Sequence, residues 1–323
     1  MRVLVTGAAG FLGSHIVARL SERGHEAVAF VRPGKARPHL DALGVERVEG
    51  DVLDEKSLLR AFRGADAVIH AAARTGLYSR QNLIQRRINV EGTSYVMRAA
   101  HKTHLDRIVH ISTVGAVAGS DEPVVYDESS VWNLSHMRIN YVKTKREGEE
   151  RAFAAGNAGM PVVVVNPSFL VGPRHDGGPP TPVITGVMKG EKRWYPDGGV
   201  SVAHVADVAD GIISAMERGQ TNERYILAGH NTIWRELYEE IARVAGGEAP
   251  TIRLPRGLTR TLALGAEVLD KLRLSRPPWA PELWRSFGMY AHYDSSKAQR
   301  ELGYEIRPLE EIIRSAVGAV GEM

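Results

Sequence analysis

Tyr141 and Lys145 stand four residues apart in Tyr141-Val142-Lys143-Thr144-Lys145. On a helix that spacing puts both side chains on one face. An ammonium beside a phenol favours the phenolate, which predicts a Tyr141 pKa below the ordinary ~10. Such a tyrosine can give a proton to a carbonyl oxygen or take one from an alcohol. The matching change at carbon is a hydride transfer, chemistry that a nicotinamide carries. Ser112 and Thr113 end a Val/Ile-rich run and offer hydroxyls to orient the reacting oxygen. Asn89 stands on a preceding helical stretch. The same spacing recurs at Tyr293 and Lys297. That pair lies beyond the region where strands and helices alternate, and on position alone it is a coincidence.

A second chemistry-bearing stretch is Thr6-Gly7-Ala8-Ala9-Gly10-Phe11-Leu12-Gly13, between an apolar strand and a helix. Its GxxGxxG spacing is one residue longer than the GxGxxG dinucleotide fingerprint, but the physics is shared. Glycines allow a tight turn and close approach of a pyrophosphate, the helix start offers unpaired N–H groups, and Gly13 permits close helix–strand packing. An ordinary turn with incidental glycines is the plainer alternative; the strand–turn–helix setting favours the phosphate site. After the second strand an Asp or Glu usually holds the ribose 2′-hydroxyl of NAD. This chain has Phe30-Val31-Arg32-Pro33-Gly34-Lys35, and Glu26 lies at the wrong end of the strand. Arg32, helped by Lys35 or Arg37, suits a 2′-phosphate, so NADP is expected over NAD. A solvated surface role for Arg32 is the alternative. Asp51, before Val52, can accept from an adenine amino group, while Asp54 is the better cap for the next helix. Ala71, Ala72 and Ala73 leave room for a ribose or nicotinamide.

These residues need a scaffold that brings strand ends together. Strands are predicted at Arg2–Val5, Glu26–Val31, Glu46–Gly50, Ala67–His70, Arg107–Ser112 and Pro161–Val165. Helices are predicted at Phe11–Arg23, Glu55–Phe62, Gln85–Lys102 and Tyr141–Ala155. The alternation implies an α/β fold, a doubly wound parallel sheet with helices on both faces. The strands are continuous Val/Ile/Ala runs, as a sheet covered on both faces requires. After Asn166 the rhythm changes: residues 172–199 read as loop with one helix near Pro182–Met188. Val205–Glu217 reads as helix and Arg224–Leu227 as strand, and the rest as mostly helical. The expected division is a cofactor-binding core at 1–170, with 200–230 returning to it, and a discontinuous cap at 171–199 and 231–323.

Composition narrows the partners. The 323 residues carry 41 Lys plus Arg against 38 Asp plus Glu, a net charge of +3, and no cysteine. The missing thiols exclude disulfides, iron–sulfur clusters and cysteine nucleophiles, and fit a reducing cytoplasm. No apolar run approaches the ~18 residues of a membrane span. The 12 histidines show no HxxxH or HxH spacing, so no metal is expected. The sequence pI of 9.1 raises nucleic acid or an anionic surface as partners, but the small net charge favours neither.

Together these motifs resemble the extended short-chain dehydrogenase/reductase family over nearly the whole chain. Thr6 to Gly13 resembles its TGxxGFxG turn, His70-Ala71-Ala72-Ala73 its HxAA, Asn89 to Gly92 its NxxG and Tyr141 to Lys145 its YxxxK. Asn166-Pro167 to Gly172-Pro173-Arg174 and His204-Val205-Ala206-Asp207 resemble two further motifs, and Tyr293 to Lys297 a packing segment. Val31-Arg32, Asp127-Glu128 and Trp132 are most similar to the dihydroflavonol 4-reductase branch, whose members use NADP on ketones and aldehydes. The resemblance implies a Rossmann-type sheet, Tyr141 as acid/base and Lys145 on the nicotinamide ribose. It puts Thr113 at the hydroxyl position, with Ser112 a contender, and Asn89 in the relay. Cofactor contacts are implied for Gly7, Gly10, Phe11, Leu12, Gly13, Arg32, Lys35, Asp51, Val52, Ala71, Ala72, Ala73, Tyr141, Lys145 and Pro167. Nucleotide-sugar relatives carry an arginine just before HVxD; Gly199-Val200-Ser201-Val202-Ala203 lacks it.

The expected function is therefore NADP(H)-dependent interconversion of a hydrophobic ketone or aldehyde and its alcohol, by a cytoplasmic enzyme without nucleic-acid partners. A homodimer fits family habit. The alternatives are an NAD-dependent nucleotide-sugar epimerase or dehydratase and a non-catalytic cofactor sensor. Trp132, Met137, Ile139, Phe169, Trp194, Tyr195, Trp279 and Trp284 are candidates for an apolar pocket or for cap packing. His204 and Asp207 read as structural, His204 packing beneath a helix that Asp207 starts. Leu258, Leu262, Leu264, Val268, Leu269 and Leu272 recur with helical spacing among Arg256, Arg260, Lys271, Arg273 and Arg276. That pattern allows a packed cap helix with a solvated basic face, a lid over the cofactor, or a membrane-surface helix.

Overall fold

The computed structural model describes residues 1–34, 37–76, 78, 81–175, 181–274 and 280–321. The first half runs β1 (Arg2–Thr6), α1 (Phe11–Glu22), β2 (Glu26–Val31), α2 (Pro38–Ala42), β3 (Glu46–Glu49), α3 (Glu55–Ala61), β4 (Ala67–His70), α4 (Asn82–Arg86), α5 (Thr93–Thr103), β5 (Arg107–Ile111), β6 (Val125–Tyr126), α6 (Asn140–Asn157) and β7 (Val162–Pro167). Then follow β8 (Phe169–Val171), α7 (Pro182–Met188), β9 (Trp194–Pro196), β10 (Gly199–His204), α8 (Val205–Arg218), β11 (Arg224–Leu227), β12 (His230–Ile233), α9 (Trp234–Ala245), β13 (Ile252–Leu254), α10 (Arg256–Lys271), α11 (Pro281–Ser286), β14 (Tyr290–Tyr293), α12 (Ser296–Leu302) and α13 (Leu309–Gly321).

Seven parallel strands form the main sheet in the order β11-β7-β5-β4-β1-β2-β3. Successive side chains point to opposite faces, and both faces are apolar. Val3, Val5, Ile69, Val109 and Val163 pack with residues of α1, α8 and α12. Leu4, Val28, Val68, Ile108 and Val164 pack with residues of α3, α5 and α6. This is the doubly wound Rossmann-type sheet that the uninterrupted Val/Ile runs predict. The strand order reverses between β1 and β4, so a crevice opens at their carboxyl ends, beside the glycine turn.

Two predicted stretches differ. The single helix expected over Gln85–Lys102 is α4 and α5 joined by a π-helical turn at Arg87–Gly92. The wider turn surrounds Asn89 and lays its carbonyl against α6, where any Cβ at Gly148 would strike it. The second half is less helical than its pattern suggests. Gly199–His204 is a wholly buried strand at the centre of a second sheet, β12-β10-β14-β6, with β8 alongside. Its partners come from distant segments, antiparallel on β12 and parallel on β14 and β8. No local periodicity marks that arrangement. α7, α9 and α13 cover this sheet around Ile184, Leu237, Ile241 and Ile313. Among the described residues, no helix is long and apolar enough to cross a membrane.

Candidate active site

The glycine turn is shaped by steric need. Gly7 has φ +72°, in the region that favours glycine, and a Cβ there would lie 2.7 Å from Ala72 N. The Gly7 carbonyl accepts from Gly10 N at 3.0 Å, and Gly10 caps α1 while accepting from Ser14 N at 2.9 Å. A Cβ at Gly13 would collide with the Gly7 carbonyl, so α1 can lie this close to β1 only with glycine there. Phe11, Leu12 and Gly13 form the first turn of α1, whose free N–H groups and positive dipole end face the crevice. The Phe11 ring carries the Arg174 guanidinium 4.7 Å from its centroid, and Leu12 packs on the core.

A cleft of about 560 Å³ runs from this turn across the sheet edge. Gly7, Gly10, Asp51, Val52 and Ala71 to Ala73 line it, with Arg32 and Arg37 at the end beyond β2. Lys35, also expected there, lies outside the described residues. Asp51 accepts from Leu53 N at 2.9 Å, and Asp54 caps α3 by accepting from Lys56 N at 3.0 Å. The donor set matches the adenosine half of a dinucleotide: N–H groups for phosphate, a carboxylate for an amino group, and guanidinium groups at the ribose end. Thr6 ties the floor together, since its hydroxyl accepts from Ala72 N at 3.2 Å and pairs with His70 at 2.7 Å. Burial holds the His70 pKa down at about 3, so the ring is neutral and bridges Thr6 to Thr93.

At the other end of the crevice, α6 presents Tyr141 to the end of β5. The Thr113 hydroxyl draws the Tyr141 phenol toward its ionised form, but burial outweighs that pull and leaves the phenol above its ordinary pKa. This corrects the expectation of a Tyr141 lowered by Lys145. The Lys145 ammonium instead donates to the Ile111 carbonyl at 2.5 Å, deep in the fold. Burial brings its own pKa down to about 8, against an upward pull from Glu149. The neighbouring Ser112 hydroxyl is buried with no hydrogen-bond partner among the described residues. Asn89 donates to Thr144 Oγ1 at 3.0 Å and to the Arg74 carbonyl at 3.1 Å, and accepts from Arg74 N at 2.8 Å. It therefore pins α6 to the loop after β4. Pro167 is buried at the end of β7 and does not line this cleft.

Two site-shaping carboxylates escaped the sequence reading. Glu149, one turn beyond Lys145, is fully buried and accepts from Asn166 Nδ2 at 2.7 Å; Asn166 also donates to the Thr113 carbonyl at 2.9 Å. Glu282 reaches from α11 to the start of α6, where its carboxylate accepts from Tyr141 N at 3.3 Å. It thus caps the helix that bears Tyr141 from across the molecule. The signal for Glu149 was its i,i+4 placement after Lys145; Glu282 has no local signal.

Comparison with known proteins fits this geometry. The model of the NAD dependent epimerase/dehydratase family matches residues 3–228. The chain belongs to this family. It is an extended short-chain dehydrogenase/reductase, and it is an oxidoreductase dependent on a nicotinamide dinucleotide. A Synechocystis protein, named provisionally as a dihydroflavonol 4-reductase, is 30% identical over 319 residues, covering 97% of this chain and 92% of that protein. The 4-hydroxy-2-methyl-3-oxo-4-farnesyl-3,4-dihydroquinoline-1-oxide ketoreductase of Stigmatella aurantiaca is 31% identical over 310 residues, covering 94% and 92%. The crystal structure of gox2253 superposes with a TM-score of 0.86 at 32% identity, covering 99% of this chain and 98% of that one.

The remaining motifs of this oxidoreductase have structural duties. Tyr293 is buried and donates to the Ala118 carbonyl at 2.7 Å, while Lys297 pairs with Glu223 at 2.6 Å. His204 caps α8 by accepting from Ala206 N at 3.1 Å rather than packing beneath the helix, and Asp207 is paired with Arg307. Trp284 stacks on Trp194 with centroids 5.3 Å apart, and both meet Phe287. These tryptophans build the cap core. Trp132 differs, donating to the Gly115 carbonyl at 3.1 Å close to the Thr113 loop. Ile139 is buried just before α6, and Trp279 lies outside the described residues.

Proposed function

We propose that the chain is an NADP(H)-dependent reductase of hydrophobic ketones or aldehydes, working in reverse as an alcohol dehydrogenase. Tyr141 beside Thr113, one helical turn before the buried Lys145 on α6, carries this reading. Bound nicotinamide dinucleotide supplies the hydride. Phe11, Leu12 and Gly13 N–H groups would hold its phosphates, Asp51 its adenine and Arg32 with Arg37 its 2′-phosphate. A neutral Tyr141 donates its proton to the carbonyl oxygen as negative charge develops there. Thr113 orients that oxygen, Lys145 supplies positive charge beneath the phenol, and Asn89 keeps α6 in register with the loop after β4. Residues 1–170, with 200–230, serve as the cofactor half, and 171–199 with 231–323 as the substrate half.

The hydrophobic substrate rests on two supports. β10 is wholly buried and carries no arginine at the position that nucleotide-sugar relatives use for a diphosphate. The Stigmatella relative is named for a farnesylated substrate. The test is cofactor consumption across a panel of aromatic ketones, aldehydes and steroids. Oxidation of NADPH by an apolar carbonyl compound is expected. Purified protein that retains NAD and consumes no added cofactor would instead mark a sugar epimerase.

Cofactor choice gives a separate expected result. Arg32→Ala should raise the KM for NADPH by about 10- to 100-fold, the value of one charge-assisted contact to phosphate, and leave the KM for NADH nearly unchanged. Equal changes for both cofactors would remove Arg32 from the 2′-phosphate site.

Lys145 sets a pH limit. Its ammonium loses a proton as pH rises through about 8, so turnover should fall across that range. Stability should move the other way. The folded pKa lies below the unfolded one, so between about 8 and 10.5 the unfolded chain holds more protons and folding gains. Turnover profiles and unfolding midpoints measured together separate the two effects; a midpoint that falls with turnover would contradict the assignment.

A further inference from the structure

α10 has two unlike faces. Thr259, Ala263, Ala266 and Asp270 are buried, and Ala263 and Ala266 pack against Trp284 and Phe287. Leu258, Leu264, Val268, Leu269 and Leu272 point outward, and Leu264, Val268 and Leu272 are 65%, 58% and 62% exposed. At 100° per residue these side chains share one stripe, and Leu274, 66% exposed, extends it beyond the helix. The helix packs on the cap through its small-residue face, and that contact leaves the leucine stripe outside it.

The charges at its edge are predominantly cationic. Between residues 256 and 274 the exposed charged residues are Arg260, Lys271 and Arg273, whereas Asp270 is buried and Glu267 is half-buried between Arg285 and Lys271. Arg276 lies outside the described residues. Arg260 also lies 3.6 Å from Asp121, a loose pairing at the surface. A continuous apolar stripe about 24 Å long with a cationic edge matches the boundary between acyl chains and anionic headgroups. A second copy of the chain matches it less well. A two-fold axis near Gly265 would set Arg260 of each copy near Lys271 of the other, and the carboxylates beside them, Asp121 and Glu267, are already engaged by Arg256 and Arg285.

We infer that α10 docks this protein on the surface of an anionic phospholipid bilayer, with Leu258, Leu264, Val268 and Leu272 inserted among the acyl chains. The docking is peripheral and independent of the reaction proposed above. It would hold α11, and through Glu282 the start of the Tyr141 helix, next to a phase in which apolar compounds collect.

The test is sedimentation with vesicles. Full-length protein should sediment with phosphatidylglycerol–phosphatidylcholine vesicles at low salt, and at least about tenfold more weakly with pure phosphatidylcholine or at high salt. Leu264→Ser/Val268→Ser/Leu272→Ser should weaken binding by at least about tenfold while lowering the unfolding midpoint by only about a few degrees, because these side chains are already mostly in water. Arg260→Glu/Lys271→Glu is the second variant and should weaken binding to anionic vesicles alone. Absence of wild-type binding at low salt overturns the inference. So does unchanged binding of both variants. A dimer in solution that the triple variant dissolves, with no vesicle binding, would make a second copy the occupant and overturn it too.

Discussion

Tyr141→Phe should lower kcat by about 10²- to 10⁴-fold, the range of a lost general acid. The substitution removes one oxygen and keeps the ring that fills the space at the start of α6. Affinity for NADPH should change little, because the glycine turn and Arg32 lie at the far end of the crevice from this phenol. Thr113 alone can still orient a carbonyl oxygen but has no acidic proton to give it at neutral pH, so the residual rate should lose its dependence on the phenol. Stopped-flow fluorescence of NADPH binding and steady-state turnover on the same preparation check both parts. Turnover within about threefold of wild type would show that another group donates the proton.

The direction of the Tyr141 shift shows how far residue spacing can be read. Four residues on a helix place Tyr141 and Lys145 on one face, and they are there. Spacing carries no information about where an ammonium finds its acceptor. The Ile111 carbonyl takes the Lys145 proton donor, and burial then governs the phenol. The main sheet was legible because both of its faces are covered, which forces unbroken apolar strands. The glycine turn was legible because Gly7 and Gly13 meet backbone where a Cβ belongs. The second sheet was not. β10 is built from Gly, Ser, Ala and His as much as from Val, and its three partners lie far away in the chain. Glu282 was hidden for the same reason, 141 residues from the amide it caps. The exposed leucines of α10 show the converse. Their periodicity was plain, but which face was buried depended on Trp284 and Phe287 arriving from α11 and the segment after it.

Glu149→Ala should lower the free energy of unfolding by about 3–5 kcal/mol, the cost of removing one partner from a buried ionic cluster. The carboxylate has no exposed surface and is shared among Arg224, Arg146 and Asn166. Its loss leaves the Arg224 guanidinium, itself only 12% exposed, without its carboxylate, and leaves the Asn166 amide with one acceptor in place of two. Glu149→Gln retains the volume and one acceptor, so its cost should be smaller, yet it removes the same charge. That charge also pulls the Lys145 pKa upward against burial. The Gln variant should therefore titrate Lys145 below about 8, and the alkaline fall in turnover should begin at lower pH than in the wild type. Urea unfolding measures the first effect and the pH profile of kcat the second. A Gln variant that loses stability but keeps the wild-type profile would confine Glu149 to holding α6 against β7 and β11. A shifted profile makes it the residue that keeps Lys145 charged near neutral pH, at a distance of one helical turn from the ammonium.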